Sequence, residues 1–479
     1  MRRTASVALA FLVSGLCAAQ VTTIAWDAPV ACNAAGEGAL RPRIALNGNG
    51  DPVVLWGDNM PMANHVSIGT GGVFSPPVQL SEGFMPSVDD WMGSSIASWG
   101  NTLWVVMKAM PEESEPLYVR RSDDGGFTWG DTLRVEPFDG LVSRYPSIDL
   151  AGPDAPLVQY MQFDNGWNGA RQVVAHLMDG AFMDPVQVSA PFAPGEVCDC
   201  CPNQIVADGD RAVALYRNAG PNIRVMWGAA STDGGMSFPV GAEVDTTGWA
   251  LNACPSSGPD GYMAGDSLRY VWMSGANSGA KVYIGSALAS DLSLGRQLKV
   301  YGVQTSGVQQ NFPRIAGSGD TLGVAWQQNV GSNQEILFSW SVSGPDGLER
   351  PDTVNLTLSG AQQTPDIAYA DGAFHLVWSE PGTGQVWYRK GILIRAVGIA
   401  EGQGVDPVSS WPNPVDDLLQ VEGTRWDQAA LFDALGKLVA TLPVTAGTID
   451  MSTLGPGSYA IHLSGRDGAK ALLRVQKSR

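Results

Sequence analysis

Histidine is almost missing from this chain of 479 residues: only His65, His176, His375 and His462 are present, none near another. That spacing offers no zinc signature and no serine–histidine–aspartate order, so metallohydrolase and serine-hydrolase chemistry have no visible carrier. Charge is sparse too, at 16% of residues, and the basic side is the poorer one, with 29 Lys and Arg against 47 Asp and Glu. A net charge of −18 argues against nucleic acid and anionic membranes as partners, because phosphates recruit clustered cations. Past the N-terminus, no stretch approaches the roughly 20 apolar residues of a membrane span. No cofactor, resident metal or membrane span is expected.

Glycine is what the chain has in abundance, with 58 residues beside a hydrophobic fraction of 44%, which suits a turn-rich all-β protein with a large core. Seven turn-plus-strand units recur: LNGNGDPVVLWGDN, SWGNTLWVVMKAM, LAGPDAPLVQYMQF, ADGDRAVALYRN, MAGDSLRYVWMSG, GSGDTLGVAWQQN and YADGAFHLVWSE. Each follows an opening proline, at Pro42, Pro86, Pro146, Pro202, Pro255, Pro313 and Pro365. Short strands and Gly/Asp turns at that period are the mark of a β-propeller, expected here with seven blades and with six as the alternative. The first repeat parses as strands Arg43–Leu46, Pro52–Trp56, His65–Gly69 and Val78–Leu80. The seventh lacks a fourth strand, and Thr22–Val30 is expected to supply it and close the ring, leaving no free sheet edge.

The first 19 residues read as a signal peptide, with a basic Met1-Arg2-Arg3, an apolar Ala5–Val13 and small residues Cys17-Ala18-Ala19 before the cleavage point. Two later turns are more specific. Ser122-Asp123-Asp124-Gly125-Gly126-Phe127-Thr128-Trp129 fits S-x-D-x-G-x-T-W throughout, and the stretch from Ser231 through Asp233 and Gly235 to Phe238 fits with conservative changes. The aspartate accepts bonds from turn amides, glycine supplies positive φ, and the aromatic residue packs between sheets. These turns resemble the Asp boxes of sialidase-like (BNR-repeat) propellers, and the resemblance covers about residues 20–400. It implies that Asp124 and Asp233 are structural and lie away from the ligand face.

The C-terminal segment differs. After an expected linker at 401–410, residues 411–479 carry Pro412-Asn413-Pro414, the turn Asp433–Gly436, Leu454 and Gly457-Ser458-Tyr459 among alternating strands. This ordered set resembles the type A C-terminal sorting domain of the type IX secretion system, a small β-sandwich. The resemblance implies Sec export, periplasmic transit and passage over the outer membrane, with the protein then released or attached at the surface. The secretion machinery is thus an expected partner, through residues 411–479, and the propeller is expected to be a monomer.

In a propeller, the connections between blades and the turns after each apolar second strand emerge on one face. Arg41, Asn59, Arg144, Asp164 and Arg224 fall there, and Arg43, Asp58, Arg217, Arg314, Asp366 and Glu380, on the same face, form the candidate ligand site. Cys198, Cys200 and Cys201 fall there as well, with Cys254; Cys201 and Cys254 each precede an opening proline, so they are expected at equivalent places in neighbouring blades. Disulfides are the expectation in an exported protein, with a soft-metal thiolate site as the alternative, and Cys32 remains over. Sialidases clamp a carboxylate with three arginines, and Arg43, Arg217 and Arg314 offer such a triad with Asp58 as the acid. The chain shows no matching Tyr/Glu pair. The expected function is therefore binding of an extracellular glycan or protein. An exo-acting sialidase and a non-catalytic surface protein are the alternatives. Trp56, Trp272, Trp326 and Trp378, at the ends of the second strands, are expected to pack between blades.

Overall fold

The computed structural model describes residues 21–189, 196–277, 279–301, 308–396, 408–433, 436–465 and 468–478. The leader expected at 1–19 and most of the linker expected at 401–410 lie outside them. The chain divides into two compact units, one of which spans Ile24–Leu393.

In that unit the alternating apolar segments form seven antiparallel sheets of four or five strands. Their first strands are Leu40–Leu46, Ser95–Trp99, Val142–Leu150, Gln204–Asp208, Asp260–Ala264, Gln310–Ser318 and Gln363–Ala370. Residues from all seven line one central cavity of about 410 Å³. The first sheet runs Leu40–Leu46, Pro52–Asn59, Met62–Thr70 and Val73–Phe74, with Val78–Gln79 also on the third strand. In the seventh, Val21–Trp26 pairs with Gln385–Ala396, so an N-terminal strand completes the last sheet.

Apolar side chains from adjacent sheets share cores, which explains why the middle strands are buried on both faces. Val53, Leu55 and Val66 meet Leu103 and Val105; the series continues around until Val377 and Val386 of the seventh sheet meet Val54 and Trp56 of the first. The four strand-end tryptophans Trp56, Trp272, Trp326 and Trp378 are buried in these seams. Carboxylates fasten the seams nearest the channel. Asp149 accepts from the Ala207 amide at 2.8 Å, Asp260 from Ile315 at 2.8 Å and Asp366 from Ile44 at 2.9 Å.

The two Asp boxes tie outer turns to inner ones. Asp124 accepts from the Thr128 amide at 2.9 Å and its hydroxyl at 2.6 Å, and Gly125 donates its amide to the Asn101 carbonyl at 2.9 Å. Asp233 makes the same pair with Ser237, and Gly234 bonds the Asp210 carbonyl. Burial opposes ionisation of both carboxyls, but these bonds outweigh it and hold them below the usual range. Gly235 has φ +84°, and a Cβ there would meet Leu157 at 2.6 Å, so only glycine lets the box lie on the neighbouring sheet.

Two opening prolines are misplaced in the sequence reading. Pro86 bridges to Ala109, well ahead of the second sheet's first strand at Ser95, and Pro255 precedes Asp260–Ala264 by a longer connection in which Pro259 adjoins the strand. Both connections are long enough to carry a loop proline ahead of the strand, which shifts the register of the count.

The C-terminal unit holds a three-stranded sheet (Ser410–Trp411, Leu418–Val421, Thr448–Asp450) and a four-stranded one. The latter is built from Leu438–Pro443, Trp426–Phe432, Gly457–Gly465 and Lys470–Lys477. Leu419, Ile449, Leu431, Ile461 and Val475 share one core. Asn413 accepts from the Gln476 amide at 2.9 Å and donates to the Arg474 carbonyl at 3.1 Å, so the Pro-Asn-Pro turn pins the last strand.

Candidate functional site

In every sheet but the second, an X-Pro step lies in or just before the first strand, and four of these steps are β-bulges. The pairing shifts between Leu40 and Arg43, Arg144 and Ser147, Asn311 and Arg314, and Gln363 and Asp366. At each, the residue before proline has a positive φ: Arg41 46°, Tyr145 53°, Phe312 50° and Thr364 44°. A bulge re-aims the extra residue, and here it sets Arg41, Tyr145, Phe312 and Thr364 around the mouth of the channel.

Three arginines meet there. Arg41, Arg43 and Arg314 line two small adjoining crevices of about 20 and about 10 Å³. Arg314 is paired, with Nη1 3.2 Å from Asp260 Oδ1 and Nε 3.5 Å from Asp366 Oδ1. Arg43 donates to its neighbour's carbonyl at Pro42. Burial, then Arg314, bring its guanidinium down to about 9. Arg41 is only 9% exposed and has neither a carboxylate partner nor a hydrogen-bond acceptor among the described residues. Its guanidinium carbon lies 5.9 Å from the Phe312 ring centroid. Burial, then Arg43 and Arg314, push it well below the usual arginine range. Of the three guanidiniums only Arg314 is ion-paired; Arg41 and Arg43 are buried with no carboxylate within ion-pair distance among the described residues, and Asp366 favours their charge only from farther off.

Of the expected site residues, Arg43, Arg314 and Asp366 are brought together, and Asp260 and Arg41 join them. Arg217 is not part of this group. It is 1% exposed and donates to the carbonyls of Arg224 at 2.6 Å, Met273 at 2.8 Å and Ser257 at 3.3 Å, under the Trp249 ring. Its donors are spent on backbone, so the expected triad of Arg43, Arg217 and Arg314 does not form. Asp58 lies at the end of its strand, where it accepts from the Met60 amide at 3.0 Å. Glu380 accepts from the Trp387 indole at 2.5 Å. Neither lines the channel. Arg41, expected on this face, stands one residue before Pro42, as Tyr145 stands before Pro146.

The cysteines gather beside this mouth. Cys198 is bonded to Cys201 and Cys200 to Cys254, and Cys198 Sγ is 3.7 Å from Cys200 Sγ. The expected equivalence of Cys201 and Cys254 fails, because Cys201 stands just before Pro202 whereas Cys254 lies in the longer connection ahead of Asp260. The sulfur of Cys200 nevertheless joins the two connections. Cys32 is a buried free thiol whose pKa burial raises well above normal. The three clustered sulfurs of Cys198, Cys200 and Cys201 have the spacing of metal ligands, but in this structure they are spent in disulfides.

Residues 409–474 match the family model described as a secretion system C-terminal sorting domain. The chain therefore carries the sorting domain of type IX export, which directs proteins to the cell surface or the medium. No helix among the described residues is long and apolar enough to cross a membrane. No curated protein matches the chain. Among solved structures, a Dyadobacter fermentans protein of unknown function is 14% identical over 66% of this chain and 98% of its own, at a TM-score of 0.43. A polysaccharide lyase, the PL25 ulvan lyase bound to a GlcA–Rha3S unit, is 9% identical over 75% and 95%, at 0.47. The Trypanosoma rangeli sialidase bound to the inhibitor DANA is 10% identical over 91% and 84%, at 0.43.

Proposed function

We propose that this protein is an exported seven-bladed propeller with a C-terminal sorting sandwich, and that its channel mouth binds a carboxylate-bearing extracellular glycan. The observation that carries this reading is Arg41, a guanidinium 9% exposed, unpaired, and set beside Arg43 and Arg314. A buried charge without a partner is costly unless a ligand supplies one, and a planar guanidinium fits a carboxylate with two parallel bonds. The crevice itself is small, about 20 Å³, and it adjoins the central cavity of about 410 Å³ that Arg43 and Arg314 also line. The two carboxylates that touch these arginines favour binding over hydrolysis, because Asp366 and Asp260 are each committed to a backbone amide and to Arg314.

The test is retention of the full secreted chain on immobilised polygalacturonate, alginate, hyaluronate and polysialate, with dextran and laminarin as neutral controls. At least one carboxylated polymer is expected to retain the protein, and Arg41→Gln is expected to abolish retention while leaving the melting temperature within a few degrees. Equal retention on the neutral polymers, or an Arg41→Gln protein that still binds, would overturn the assignment.

A further inference from the structure

Next to the crevice lies a shelf of side chains that carboxylate binding leaves unused. Trp91, 38% exposed, belongs to the connection between the first and second sheets, and Trp167, 36% exposed, to the turn after Pro156–Asp164. Between them the Arg144 guanidinium carbon stands 4.5 Å from the Tyr145 ring centroid and 5.2 Å from that of Trp167. Trp91 and Tyr145 also line the crevice of Arg41, so the shelf begins where that pocket ends.

Arg144 is held in place. Its Nε is 3.4 Å from Oε2 of Glu112, which is 6% exposed and accepts from the Ser87 hydroxyl at 2.6 Å. One terminal nitrogen faces the Met92 sulfur at 3.7 Å, and the other has no acceptor among the described residues. The backbone beneath the aromatic rings is strained. Tyr145 has φ 53° through the repeated bulge, but Trp167 reaches 65° in a hairpin turn outside that pattern. Such a conformation is costly for a bulky residue, and strain of this kind gathers at binding sites. Here it leaves an indole half-exposed and packed against Arg144.

We propose that Trp91, Tyr145, Arg144 and Trp167 form a second subsite that seats the sugar ring adjoining the acidic one, so that the ligand is an acidic oligosaccharide of two or more units. This rests on the crevice taking a carboxylate. That crevice has room for little more than one small polar group, so the rest of the ligand lies outside it, and on the side of Trp91 and Tyr145 the shelf is the adjoining surface. Indole faces stack on the C–H face of a pyranose, and the unengaged Arg144 nitrogen donates to a hydroxyl. The Arg144–Glu112 pair carries no net charge, which suits a hydroxyl-bearing ring better than a second anion.

The experiment uses the full chain and the one-, two- and four-unit fragments of whichever carboxylated polymer retains it, in competition against that polymer. Affinity is expected to rise about tenfold or more from one unit to two. Trp167→Ala should lower two-unit affinity severalfold and leave one-unit affinity unchanged, with Trp167→Phe keeping most of it. Calorimetry of each variant shows whether it is folded, and Trp167→Leu gives the readout if Trp167→Ala is not. Equal affinity for one, two and four units overturns the shelf and leaves the crevice standing. Folded variants that lose one- and two-unit binding alike also overturn it, since the rings would then only support the crevice. Retention by none of the polymers removes the crevice and the shelf together.

Discussion

Asp366→Asn tests the charge count at the channel mouth. The substitution keeps an oxygen for the Ile44 amide, now 2.9 Å from Asp366 Oδ2, and removes one of two carboxylates among three guanidiniums. Removing one partner of a buried ion pair costs about 3–5 kcal/mol. Arg314 retains Asp260 at 3.2 Å, so the lower end, about 3 kcal/mol, applies. The unit from Ile24 to Leu393 has about 370 residues, and unfolding entropies of about 2.1 cal/mol/K per residue then give about 0.8 kcal/mol/K. The melting temperature is expected to fall by about 4 °C in scanning calorimetry at pH 7 with chloride as the only added anion. Replacing chloride by acetate at equal ionic strength should shrink the deficit, because the crevice then carries a larger unpaired positive charge. A fall under about 1 °C, or a deficit indifferent to acetate, would show that channel water already screens these charges and that Arg41 needs no anion.

Two further outcomes follow from buried groups. Arg217→Met removes charge-assisted bonds to the Arg224, Met273 and Ser257 carbonyls, at about 1.5–3 kcal/mol for each strong one. The melting temperature should drop by roughly 4–8 °C while polymer retention by the folded variant is unchanged, and loss of retention would return Arg217 to the site. Asp149 faces the channel without a cation partner, and burial raises its carboxyl to about 7 despite bonds from the Ala207 and Leu150 amides. The folded protein therefore holds a proton that the unfolded chain releases near its ordinary value of about 4. This term favours folding below that value, and its contribution falls by up to about 1.4 kcal/mol per pH unit until pH 7. Asp149→Asn should accordingly gain more over the parent protein at pH 8 than at pH 5, and parallel melting curves at the two values would refute the shift.

The architecture was largely open to reading because it repeats. Alternation in segments such as PVVLW and LGVAW fixes which faces meet, and the same turn recurs after each first strand, so a periodic error would have been visible. The errors sit where the period breaks. Pro86 and Pro255 lie inside long connections between sheets, where a loop proline looks like a strand opener. The site was harder to read because the chemistry depends on which donors the backbone has already taken. Arg217 and Arg314 look alike in sequence, yet one is consumed by three carbonyls and the other by two carboxylates. Arg41 differs from both only in lacking a partner, which no spacing rule reports. Trp91 and Trp167 were passed over for the same reason: exposure decides between packing and stacking, and the tryptophans at strand ends proved to be buried.

The pre-proline bulge links these observations. In four sheets the bulge places one side chain at the mouth while the proline and the strand behind it stay in register with their neighbours. Across the sheets that one position carries Arg41, Tyr145, Cys201, Gly258, Phe312 and Thr364, each directly before a proline. Its identity can therefore change from sheet to sheet without disturbing the carboxylate staples at Asp149, Asp260 and Asp366, which lie deeper in the channel. A cation, a phenol, a disulfide sulfur and a benzyl ring share one rim for this reason. The left-handed backbone at four of these positions costs on the order of 1–3 kcal/mol each, yet the flanking strand pairs hold it in place. Strain fixed in this way belongs to a mouth built before its ligand arrives. Binding there should need little movement of the backbone, and affinity should depend on which side chains occupy the rim.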